Sequence, residues 1–70
     1  MTYREVARKL KVLGCVETPR KGGGSRRKWR NSGTNAATVI PDWGSKDLKL
    51  GTIRAVVRQP GLEWDKFQSA

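Results

Sequence analysis

The stretch Gly22–Asn31, GGGSRRKWRN, decides how the rest of the chain is read, because its character changes halfway along. Three glycines and a serine lead into a run that alternates. In an extended strand Arg26, Lys28 and Arg30 share one face, and Ser25, Arg27 and Trp29 share the other. Such a strand has one wet side and one packed side. A glycine-serine turn feeding a basic strand also suits phosphate, which leaves open whether the stretch is a binding surface or an active site. The flanks supply what covers its packed side.

On the N-terminal flank, Thr2–Gly14 (TYREVARKLKVLG) predicts a helix. Thr2 and Glu5 have the spacing of a capping box, and Gly14 is the expected stop. Tyr3, Val6, Ala7, Leu10 and Leu13 recur on one face as core, while Arg4, Arg8, Lys9 and Lys11 point elsewhere. The period then shortens. CVETP (15–19) reads as a first strand that Pro19 ends or confines to an edge, and Cys15 as a small buried hydrophobe. After a turn at NSGTN (31–35), AATVI (36–40) predicts a third strand that stops before Pro41.

Residues 41–51 (PDWGSKDLKLG) show no periodicity and read as a connecting loop. TIRAVVRQ (52–59) predicts a second helix with Thr52 as its cap. Ile53, Val56 and Val57 face the core, Arg54 and Arg58 lie outside, and Pro60-Gly61 ends the helix. LEWDKF (62–67) places Leu62 and Phe67 where a short terminal turn closes over the core. The expected fold is therefore α+β, in the order α-β-β-β-α: a small antiparallel three-stranded sheet with two helices on one face and the other face open. Trp29 is read as core from its parity. Packing over the core is also the expectation for Trp43 and Trp64, ahead of stacking on a base.

The bulk properties agree with one small domain spanning residues 1–70. The chain has 70 residues, 36% hydrophobic and 30% charged, and a chain of this size buries only about 60% of its unfolded surface. No apolar run approaches the roughly 20 residues needed to span a bilayer, so no membrane role is expected. One cysteine and no histidine exclude an internal disulfide and leave no ligand set for zinc. No cofactor is expected. The net charge of +9 is uneven: residues 1–35 hold ten basic and two acidic residues, residues 36–70 five and four. A polyanionic partner follows, since neutralising phosphates releases condensed counterions.

The order of these segments resembles the HicA family of toxins, ribosome-independent mRNA endonucleases with a double-stranded-RNA-binding-domain-like fold. The resemblance is carried by REVARKLKVLG (4–14), GSRRKWRN (24–31) and TVIPDWGSKDLKLGTIRAVVRQPG (38–61), nearly the whole chain. It implies a cytoplasmic toxin that acts on mRNA and is neutralised by a HicB-type antitoxin, with DNA contacted only indirectly through that antitoxin. It also implies a phosphate-holding set of Gly24, Ser25, Arg26, Lys28 and Arg30, with Lys46 from the loop.

At one position the sequence departs from the family. The glycine and serine are typically followed by a catalytic histidine, and Arg26 stands there instead. Cleavage through the RNA 2′-hydroxyl needs a group that takes a proton and one that returns it. Imidazole, with a pKa near 6.5, suits both roles, whereas arginine keeps its proton above about pH 12. Lys28 on the same face is a poor substitute base, and so are Asp42 and Asp47 in the loop. Arg26 can still hold a phosphate or offset transition-state charge. The chain is thus expected to bind RNA and cleave it poorly, whether Arg26 reflects drift or a selected or engineered change. The alternative reading is a non-catalytic RNA-binding module, which would concentrate its cations at the start of the last helix; only Arg54 lies in that first turn. A ribosome-associated peptide fits the charge but not the specific central block, and a DNA-binding repressor lacks a recognition helix.

Overall fold

A computed structural model describes residues 1–18 and 26–70; Pro19, Gly24 and Ser25 lie outside the described residues. The elements are α1 (Tyr3–Val12), β1 (Cys15–Glu17), β2 (Arg26–Asn31), β3 (Ala37–Pro41), α2 (Leu50–Arg58) and α3 (Trp64–Ser69). The three strands form one antiparallel sheet in the order β1-β2-β3, with β2 in the centre. This is the α+β arrangement with a double-stranded-RNA-binding-domain-like order. The expected terminal turn is a third helix.

The capping box forms as its spacing requires. The Thr2 hydroxyl accepts from the Glu5 amide, and the Glu5 carboxylate accepts from the Thr2 amide. Tyr3, Val6 and Leu10 are buried beneath α1 and pack with Cys15, Trp29, Ile40, Ile53, Val56, Val57 and Phe67. Trp29 is only 1% exposed, and its indole N–H donates to the Tyr3 hydroxyl at 3.1 Å. Burying an indole is favourable when its one donor is satisfied, and Tyr3 supplies the acceptor. Trp64 packs at the core margin, stacked on Phe67 at 5.7 Å between centroids.

Four local readings are corrected. First, β3 includes Pro41, which pairs with Arg26; a proline is tolerated there because it closes an edge strand. Second, α2 begins at Leu50 rather than Thr52, with Lys49 as an N-cap that makes no side-chain capping bond. Tertiary anchoring sets this start: Thr2 bridges Asp47, the Leu48 amide donates to the Met1 carbonyl at 2.8 Å, and Leu48 is buried. Third, Trp43 is 43% exposed and does not pack over the core. The loop side chain that fills the core is Leu48. Fourth, Lys9 is not simply outward, because its ammonium donates to the carbonyls of Phe67, Gln68 and Ala70 at 3.4, 2.9 and 3.1 Å. A cation at a helix C-terminus satisfies carbonyls that lack partners within the helix, and here it ties α1 to α3.

Candidate nucleic-acid interface

The alternation along β2 divides the sheet into two different chemical surfaces. Arg27, Trp29 and Asn31 point to the helix side, and Arg26, Lys28 and Arg30 are exposed on the open side. The register places Arg26 opposite Pro41, Lys28 opposite Val39, and Arg30 between Ala37 and Val16. The central row of cations is thus bordered by apolar side chains on both neighbouring strands, Val16 being 47% exposed and Val39 45%. Among the described residues no acid pairs with Arg26, Lys28 or Arg30. Arg30 donates to the Asn35 side chain at 3.2 Å, which leaves its charge uncompensated.

Lys28 and Arg30 share a shallow hollow of about 430 Å³ with Val16, Glu17, Thr18, Asn35 and Ala37, and the Glu17 carboxylate is itself paired with Arg27. Arg26 stands further along the same strand. Lys46 lies in the β3–α2 loop, where it shares a separate hollow with Trp43. Gly24 and Ser25 fall outside the described residues. Of the six expected phosphate-binding residues, Arg26, Lys28 and Arg30 therefore form one row, whereas Lys46 lines a different hollow in the loop. Successive cations in that row are about 6.6 Å apart along the strand, because same-face residues are two positions removed.

The helix side of β2 carries a cluster that local patterns do not reveal. The Arg27 guanidinium donates to Glu17 on β1 at 3.0 Å and to Asp42, just past β3, at 2.8 Å. It also sits 5.5 Å from the centre of the Tyr3 ring. Hydrogen bonds to Glu17 and then Asp42 raise the Arg27 pKa above its ordinary value. Burial raises the Tyr3 hydroxyl, opposed by its bond from Trp29. These groups line a cleft of about 690 Å³ on the face opposite the cation row. Asp42, weighed as a base for the open face, is instead committed to Arg27. Arg26 and Arg27 are thus adjacent in sequence and opposite in role, since one meets solvent and the other joins three strands. The only sequence signal for the second role was parity with Trp29.

A small α+β domain, with helices on one sheet face and an open basic row on the other, is the class of protein that fold and charge define. The chain belongs to the HicA family: the family described as the HicA toxin of bacterial toxin-antitoxin matches residues 3–62. It is accordingly a toxin of the HicA type, and the family implies a cognate antitoxin as its partner. No curated protein and no solved structure matches the chain. Among the described residues, no helix is long and apolar enough to cross a membrane, and no acid or cysteine cluster could hold a metal ion.

Proposed function

We propose that residues 1–70 act as one domain that binds mRNA on the open face of the sheet and cleaves it weakly. The observation that supports this reading is the row Arg26, Lys28 and Arg30, exposed on the central strand and unpaired with any acid among the described residues. A row of free cations on a rigid strand attracts phosphates and releases their counterions. Gly24, Ser25 and Lys46 extend the phosphate-holding set. Arg26 occupies the position of the family's histidine, where it can hold the scissile phosphate and stabilise developing negative charge. It cannot accept the 2′-hydroxyl proton, and general-base action is worth about 10² to 10⁴ in rate. The site keeps its grip on phosphate without a proton-transfer group.

In this reading the protein works in the cytoplasm and is covered on its basic face by a HicB-type antitoxin, which also supplies any DNA contact. Charge complementarity would speed that association. The test compares the chain with Arg26→His on a structured mRNA in the absence of ribosomes. Cleavage is expected to rise about tenfold or more with histidine. Equal and robust cleavage by both proteins would remove the assignment of Arg26 to the catalytic position. Independently, RNA affinity should fall with salt, and neutralising one cation of the row should flatten the log–log slope by about 0.7.

A further inference from the structure

The three tryptophans have different surroundings. Trp29 is buried, with its N–H bonded to Tyr3 and the Lys11 ammonium 6.0 Å from its ring. Trp64 stacks on Phe67 and carries the Arg54 guanidinium at 5.5 Å. Trp43 is 43% exposed, and among the described residues its ring meets no other ring or cation and its indole N–H has no acceptor.

The backbone at Trp43 is nevertheless held in place. Asp42 before it is bonded to Arg27, and its other oxygen accepts from the Gly44 amide at 3.1 Å. Gly44 takes a left-handed φ of 64°, with open space where a side chain would stand, and the Lys46 amide donates back to the Trp43 carbonyl. This tight turn separates the loop's side chains. Asp42, Gly44 and Ser45 line the helix-side cleft, whereas Trp43 and Lys46 line a hollow of their own. The turn begins at the Arg26 end of the sheet, because Pro41 pairs with Arg26 and Trp43 follows two residues later. Its Cα therefore lies within about 8 Å of that of Pro41.

We propose that Trp43 is a base-stacking residue, receiving one nucleobase of a single RNA strand whose phosphates lie on the β2 cations, while Lys46 holds a neighbouring phosphate. The inference rests on the RNA-binding reading and adds a base contact to it. An exposed aromatic ring that shares a hollow with a lysine, in a loop that leaves the end of a row of cations, is the combination that holds single strands. The cations of β2, with Lys46 in the same hollow as Trp43, favour a phosphate-bearing strand as the occupant. Only an unpaired base presents a free face, so the site selects a single strand over a duplex.

The test measures binding of a short single-stranded RNA and of an abasic ribose-phosphate strand of equal length. Wild type should bind the intact strand about 5- to 150-fold more tightly than the abasic one. Trp43→Ala should bring that ratio near one and leave abasic binding unchanged, and Trp43→Phe should keep most of the preference. RNA should also quench tryptophan emission in the wild type and lose that effect in Trp43→Phe, a readout independent of how well the alanine variant folds. The stacking role is overturned if Trp43→Ala weakens both strands equally or neither, or if wild type binds both strands alike. A wild type that binds neither strand overturns the RNA-binding reading itself.

Discussion

Asn31 ends the strand that carries the cation row, and its side chain faces the other way into the fold. Its amide donates to the Pro60 carbonyl at 2.9 Å and its oxygen accepts from the Gly33 amide at 2.9 Å. Replacing it with alanine removes both bonds, each worth about 0.5–1.5 kcal/mol net. The Pro60 carbonyl retains the Thr34 hydroxyl at 3.0 Å, and the exposed Gly33 N–H can turn to water. Two lost bonds add up to about 1–3 kcal/mol. A 70-residue chain has only about 3.5–10 kcal/mol of stability in all. Asn31→Ala should therefore lower Tm by roughly 5–20 °C. Asn31→Asp separates the two bonds. The carboxylate still accepts from Gly33 but turns an acceptor toward the Pro60 carbonyl, which raises its folded pKa above the unfolded value of about 3.9. Stability of that variant is then highest below the unfolded pKa and is lost as pH rises through the folded one. Urea unfolding followed by far-UV circular dichroism at pH 4 and pH 7, each referenced to wild type, measures both effects. A loss under about 0.5 kcal/mol in Asn31→Ala, or no pH dependence in Asn31→Asp, would refute the reasoning.

Three further outcomes are expected. Arg27→Met should lower Tm by leaving Glu17 and Asp42 facing each other, and adding Glu17→Gln and Asp42→Asn should restore part of the loss; a triple variant no better than the single one argues against the cluster. Cys15 is buried and its thiol pKa is raised by that burial, so an aromatic disulfide reagent should label it slowly in the native protein and rapidly in urea. Hydrogen bonds from the Thr2 backbone and then its hydroxyl hold the Glu5 carboxyl below its ordinary value of 4.5. That contribution is present above the unfolded pKa and disappears as pH falls through the folded one, so the stability gap between wild type and Glu5→Gln should close on acidification.

The elements that were legible in the sequence are those whose signals are local. The capping box and apolar stripe define α1, the two-residue period of β2 separates Trp29 from the cations, and Ile53, Val56 and Val57 mark the inner face of α2. What stayed hidden depends on partners distant along the chain. Leu48 sits in a stretch without periodicity and is buried only because the loop is bridged to the start of α1. Lys9 finds its carbonyls about sixty residues away, and Arg27 finds its acids ten and fifteen residues away. Size and apolarity alone favour burial of Trp43, whereas the turn at Gly44 holds it out. In the site, the row along β2 was readable from parity, while the separation of Lys46 from that row depends on the path of the loop.

The Arg26 side chain is exposed and, among the described residues, enters no hydrogen bond or ion pair that holds the fold. Selection for stability therefore does not register which side chain stands there. Its neighbour Arg27 is constrained by two acids and a ring, so mutations at adjacent codons meet different pressures. A lineage can exchange the residue at position 26 without passing through a poorly folded intermediate.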